Sequence, residues 1–252
     1  MHCTAGDDPL SSMALFRKAR DQIQSCNSGP TAQQRRWNPY SVEGGTVAAI
    51  AGDDFVVAAA DTRMSDREVF VISRCTNKIN ALNDNVALCS TGFRGDVLQM
   101  ARLIKARMHK FKFDYRSEMT VDLLSEMYAR NLYYRRFFPY LTMSFLAGID
   151  ENGKGAVYRY DPVGMIERCP FVAEGSASEM VDPFLEAQAG WVTQDRSVSP
   201  KPTMTIELAK SILCDALRMA CERNTLTGDQ INLVIMQAGK PPKYESLPLR
   251  ED

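Results

Sequence analysis

The sequence predicts an α+β fold in four layers, two stacked and mainly antiparallel sheets between two helical layers, an αββα sandwich. Three observations predict it. Apolar segments run in the order strands, two helices, strands, two helices, strand. Consecutive strand segments are joined by short polar turns and not by helices, which makes the pairings antiparallel. The first strands are rich in alanine, a composition that suits strands buried on both faces between stacked layers. With 252 residues, 45% of them hydrophobic and 24% charged, the chain is long enough for one large core.

Residues 1–44 read as a leader that is trimmed or flexible, because 1–40 are polar, contain Gln, Ser and Arg, and are poor in aliphatics. The pattern changes at Gly44-Gly45. Segments 46–51 (TVAAIA) and 55–61 (FVVAAAD) form a hairpin across Gly52, Asp53 and Asp54. A third strand covers 69–73. Segments 78–82 and 86–90 pair across Asn83, Asp84 and Asn85. Val97, Met100, Ile104, Met108 and Phe111 then recur at intervals of three and four, one apolar helical stripe. Thr120 caps a second helix that runs through Leu124, Met127 and Leu132 to Pro139.

Strand 141–149 turns at Asn152-Gly153 into 155–160, and a further strand reaches Ala173. Gly175 to Ser178 open a helix near 177–189. The next helix begins after Pro202 with the stripe Ile206, Ala209, Leu213, Ala216, Leu217 and Ala220. Segment 231–237 (INLVIMQ) is the last strand. The domain is expected over 45–240, followed by a polar, Pro-containing tail at 241–252.

Composition excludes several function classes. The 30 basic and 31 acidic residues balance to a net charge of −1, which does not suit a general nucleic-acid binder. No apolar run of about 18 residues marks a membrane span. The N-terminus lacks a secretory signal pattern, and Asp7, Asp8 and Asp21 argue against a transit peptide. Seven cysteines without a CxxC pair read as free thiols. Two histidines, His2 and His109, leave little for a histidine base or a His-rich metal site, and no cofactor is expected. The run from Asp150 to Gly155 lacks calcium-loop spacing and reads as a type I′ turn. Arg94-Gly95-Asp96 reads as a helix start with an acidic first turn. The aromatics Tyr133, Tyr134, Phe137, Phe138 and Tyr140 beside Arg135 and Arg136 suit either the core or a subunit contact.

Six motifs together resemble the β-type subunits of the proteasome, which are N-terminal-nucleophile hydrolases. They are Gly44-Gly45-Thr46, Asp61-Thr62-Arg63, Asn77-Lys78-Ile79, Thr91-Gly92 with Gly95-Asp96, Gly175-Ser176-Ala177-Ser178, and Thr227-Gly228-Asp229. The resemblance covers about 40–240. Segments 134–140, 153–158 and 161–164 look like one subtype, that of the sixth β position in the eukaryotic ring. The resemblance implies a four-layer sandwich among α and β subunits in stacked seven-membered rings. Regulatory particles would contact it only indirectly, with no nucleic acid or membrane partner and residence in cytoplasm and nucleus. In active relatives a mature N-terminal Thr attacks the peptide carbonyl. Its own α-amine, titrating at about 7.7–8.0, serves as base. A Lys and an Asp tune the site, and a backbone N–H holds the oxyanion.

Carried over residue by residue, the resemblance implies a degenerate site. The nucleophile of active relatives stands sixteen residues before the motif Asp, and sixteen before Asp61 stands Gly45. Thr46 is one residue late, and on a strand that shift sends the side chain to the opposite face. Asp61 and Lys78 match the family Asp and Lys and are expected as a structural ion pair. Gly92 matches the oxyanion glycine and Ser176 the serine of the Gly-Ser-Ala turn; tight-turn geometry also accounts for both. Asn224 takes the place of an Asp and Thr227 that of a Ser, and a neutral amide cannot stabilise positive charge as a carboxylate does. The expected function is a non-catalytic structural β subunit. The alternative is a threonine endopeptidase with Thr46 as nucleophile after cleavage at Gly45-Thr46.

Overall fold

The structure is a computed structural model that describes residues 40–41, 43–66, 70–191, 194 and 200–249. The chain divides after Tyr40, and the unit beginning at Ser41 contains every element below. The expected leader lies outside the described residues except at its end, where Glu43 and Gly44 are buried in this second unit.

One sheet joins β1 (Thr46–Ala51), β2 (Phe55–Asp61), β10 (Phe171–Gly175), β11 (Gln230–Gln237) and β12 (Lys243–Pro248) in the order β10-β1-β2-β11-β12. The other takes β5 (Ile79–Asn83), β6 (Val86–Gly92), β7 (Thr142–Ile149), β8 (Gly155–Tyr160) and β9 (Ile166–Cys169) in chain order. Every pairing in both is antiparallel. A separate hairpin of β3 (Met64–Asp66) and β4 (Phe70–Ser73) stands off the body with Phe70, Val71 and Ile72 exposed.

The period-2 alternation of strands sorts the side chains into three cores. Val47, Ala49, Val56, Ala58 and Ala60 face Ile79, Ala87, Phe145, Ala147 and Val157 of the opposite sheet. The intervening Ala48, Ile50, Val57 and Ala59 pack against α3 (Ser178–Leu185) and α4 (Ile206–Arg223). Leu88, Leu146, Tyr158 and Tyr160 pack against α1 (Arg94–Tyr115) and α2 (Val121–Tyr133). Strands β1 and β2 are therefore apolar at successive positions because both their faces are covered.

Helix ends follow local chemistry. Thr120 caps α2 by accepting the Leu123 N–H at 3.3 Å, and Thr205 caps α4 through Leu208 in the same way. Phe93 offers α1 no side-chain cap. Glu43, distant in sequence, supplies one: its Oε2 accepts the Arg94 N–H at 2.6 Å. Asp182 on α3 accepts the Ala173 N–H at 2.9 Å and so ties that helix to β10.

Four sequence expectations are corrected. The helix expected to run to Pro139 ends at Tyr133, and residues 132–138 form successive i→i+3 turns that tighten the chain beyond its last turn. The single strand expected to reach Ala173 is two strands in different sheets. They part at Pro170, which has no N–H for a ladder and whose carbonyl accepts the Ala51 N–H. The helix expected over 177–189 closes with a π-helical turn, Glu186–Gly190. The tail expected at 241–252 is not wholly outside the domain, because β12 pairs with β11 from Gln230 to Ile235.

An ion pair between Arg159 and Glu174 crosses from one sheet to the other. Arg159 Nε of β8 donates to Glu174 Oε1 of β10 at 2.7 Å, and Glu174 is only 5% exposed. Burial pushes the Glu174 carboxyl up from 4.5 to about 7 against the pull of the guanidinium. The unfolded chain therefore ionises Glu174 at lower pH than the folded protein does. The stability it confers is complete below about pH 4.5 and is lost as pH rises through about 7. Glu174→Gln is expected to flatten that decline in urea midpoint, and equal slopes in the two proteins would refute it. Phe145→Ala, which empties the ring-sized site between the sheets, is expected to cost about 3–5 kcal/mol in the same unfolding measurement.

Candidate functional site

The motifs converge where β1, β2 and β5 begin or end. Asp61 closes β2 with its side chain fully buried, and its two oxygens take four donors. Oδ1 accepts the Thr46 N–H at 2.8 Å and Lys78 Nζ at 2.5 Å. Oδ2 accepts the Arg63 and Gly228 N–H groups, each at 3.2 Å. Lys78 Nζ also donates to the Arg63 carbonyl at 2.6 Å. Burial is the larger influence on both charges, pushing the Asp61 carboxyl up and the Lys78 ammonium down. Their mutual attraction and hydrogen bond push each back.

Gly45 lies against this pair with φ +94°, where glycine is favoured. A Cβ at residue 45 would fall 2.0 Å from Lys78 Nζ and 2.9 Å from Asp61 Oδ1. The lysine head therefore fills the space a side chain would need. The Gly45 carbonyl accepts the Ser176 N–H at 3.0 Å and its hydroxyl at 3.4 Å.

Thr46 takes the alternation of Ala48 and Ile50, toward the α3–α4 side of the sheet, and is wholly buried. Its hydroxyl lies 2.7 Å from the Thr227 hydroxyl and accepts the Ala177 N–H at 3.2 Å. Its nitrogen is an amide donating to Asp61, and an amide nitrogen has no basic lone pair to offer a hydroxyl.

Gly92, with φ +108°, closes β6 where a Cβ would meet the Leu141 carbonyl at 2.5 Å. It lines a cavity of about 10 Å³ together with Glu43, Gly44, Lys78, Ser90 and Thr91. That is room for one water; small-molecule pockets run to about 300–1,000 Å³. Asn224 makes its side-chain bond within its own turn, Oδ1 accepting the Leu226 N–H at 2.8 Å. Among the described residues, no cluster of His, Cys, Asp or Glu could hold a metal.

The structure thus brings Gly45, Thr46, Asp61, Lys78 and Ser176 together, with Gly92 across the small cavity. Sequence reading missed the Gly228 N–H and the Arg63 carbonyl, main-chain groups that no side-chain pattern announces. It also missed the clamp from the Arg63 guanidinium to Asp229 at 3.0 Å and to the Thr225 carbonyl at 3.0 Å. Arg63 and Asp229 were in view inside the Asp61-Thr62-Arg63 and Thr227-Gly228-Asp229 motifs. Glu43 carried no signal, since its partner stands 51 residues away.

Comparison with known proteins matches residues 41–236 to the family described as "Proteasome subunit". The chain belongs to this family. A curated relative, "Proteasome subunit beta type-1" of Caenorhabditis elegans, is 48% identical over 99% of this chain and 97% of its own length. Proteins of the same name from Danio rerio and Arabidopsis thaliana are 38% and 36% identical, over 89% and 88% of this chain and 92% and 100% of theirs. As a proteasome subunit, the chain is part of a protease complex and assembles with other subunits of the core particle.

The buried pair makes a testable demand on this proteasome subunit. Lys78→Met strands a buried carboxylate, and the expected loss is about 3–5 kcal/mol. Adding Asp61→Asn is expected to restore part of it in a double-mutant cycle, and strictly additive losses would show that the two side chains act independently.

Proposed function

We propose that this chain is a non-catalytic β subunit, of the type the relatives' name designates, with a structural role in the core particle. It takes one place in a seven-membered ring, four such rings stacking, and walls the chamber in which neighbouring subunits cut peptide bonds. Regulatory particles reach it only through the rings. The observation that carries the reading is Gly45 packed against Lys78 and Asp61, with no side chain to act as nucleophile and none of the space for one. The small cavity beside it and the buried Thr46 hydroxyl support the same reading. The three cores support the four-layer αββα sandwich, with two sheets enclosed by two helix pairs. Some part of residues 1–44 acts as an assembly leader, and the complex works in cytoplasm and nucleus.

In this reading Asp61 and Lys78 hold the start of β1 against the start of β5, and Ser176 and Gly92 keep their turns. The competing reading, Thr46 as a nucleophile, requires cleavage of a peptide bond whose flanking residues are both buried. It also requires Thr46 to give up two hydrogen bonds. The deciding experiment is the intact mass of this chain from natively purified particles, before and after a threonine-directed covalent probe. The expected result is a mass that starts upstream of Thr46 and carries no adduct. A mass starting at Thr46 with one adduct would overturn the proposal.

A further inference from the structure

The aromatic run after α2 is not core. Tyr133, Tyr134, Phe137 and Phe138 are 61%, 89%, 94% and 62% exposed, and only Tyr140 turns inward. At roughly 200 Å² per ring, they hold on the order of 600 Å² of aromatic surface in water, against about 800 Å² per partner in a stable interface. The loop at Gly164 packs on the helix end, where a Cβ would lie 3.0 Å from the Tyr133 nitrogen. The next residue, Met165, adds a side chain 62% exposed.

The charges of the turn itself have one sign. Residues 128–140 contain Arg130, Arg135 and Arg136 and no carboxylate. Arg135 sits 4.7 Å over the Tyr140 ring, and Arg136 lies 5.5 Å from the Phe137 centroid and 6.0 Å from that of Tyr133. Stacking on a ring occupies a guanidinium's face and leaves its N–H edge directed outward, the geometry that takes a carboxylate in two parallel bonds. Asp161, in the neighbouring loop, spends Oδ1 on the Val163 and Met165 N–H groups.

We propose that turn 133–138, with Met165 beside it, is a docking surface for an adjacent subunit of the core particle that presents a carboxylate flanked by apolar side chains. The inference rests on the assembly of this chain with other proteasome subunits. A second copy of this chain is the less fitting occupant, because it would bring the same arginines to face these. The rings supply a rigid apolar centre, and the arginines supply orientation and choice of partner.

The test uses the full chain, co-expressed with the remaining subunits, with a photo-crosslinking phenylalanine analogue at residue 137. Native gel separation first establishes that the unsubstituted chain enters core particles; failure there strikes the structural-subunit reading and not this one. In particles that form, the expected crosslink joins residue 137 to one other subunit, at a peptide containing Asp or Glu. The Arg136→Glu and Tyr134→Ala double variant is expected to enter particles at least tenfold less than the unsubstituted chain, with its own melting temperature unchanged because both side chains are exposed. A crosslink to a second copy of this chain, no crosslink in assembled particles, or undiminished incorporation of the double variant would each overturn the inference.

Discussion

The fold depends on two sheets being able to press face to face, and alanine makes that contact possible. At Ala49, Ala58, Ala60, Ala87 and Ala147 the side chains between the sheets are single methyl groups. Such positions let the backbones approach while Phe145 and the valines fill what remains. Everything else is arranged around that contact. The outer faces of the same strands must also be covered, so each sheet takes a pair of helices. Two carboxylates that reach the interior are paired, Asp61 with Lys78 and Glu174 with Arg159. Each of these ion pairs runs from one sheet's strand to the other's, so the charge pairing fixes the alignment that the methyl groups leave smooth.

The relation between the Asp61 cluster and the scaffold follows from the same geometry. A cluster that would have positioned a reacting hydroxyl can instead hold a strand end, because the bonds that orient a catalytic group are those that immobilise a structural one. Four donors on the Asp61 carboxylate, two of them from distant main chain, lock the beginning of β1, the end of β2 and the loop after α4 in one place. None of these bonds needs a side chain at residue 45. The Lys78 head occupies the volume that a side chain at residue 45 would need and closes the cluster.

Much of this was legible in the sequence, and the illegible parts have physical causes. Order and type of elements follow from periodicity, and hairpins from their turn residues, so strands such as Gly155–Tyr160 are placed to the residue. Pattern reading failed where neighbours in sequence part company in space. Nothing apolar distinguishes 166–169 from 171–175, yet Pro170 sends them to different sheets. Segment 243–248 has the composition of a tail because it is an edge strand with one face wet, which needs few apolar residues. Of the site, the motifs name the side chains that meet. They cannot name the main-chain donors or the Glu43 cap, whose positions exist only once the fold has closed.

The strand order carries a consequence for how this protein is made. The sheet of β5 to β9 is drawn from one continuous stretch, each strand beside the next in the chain, with α1 and α2 between β6 and β7 and short loops at the other ladders. The other sheet is stitched from three separate stretches, 46–61, 171–175 and 230–248. Its centre pairs Asp61 with Ile231 and Ala60 with Asn232, so it cannot close until the ribosome has passed residue 231. Until then β1 and β2, the most alanine- and valine-rich strands, have an unpaired edge. Between about residues 169 and 231 the nascent chain has one sheet able to form and the other waiting, in a state that invites pairing with other chains.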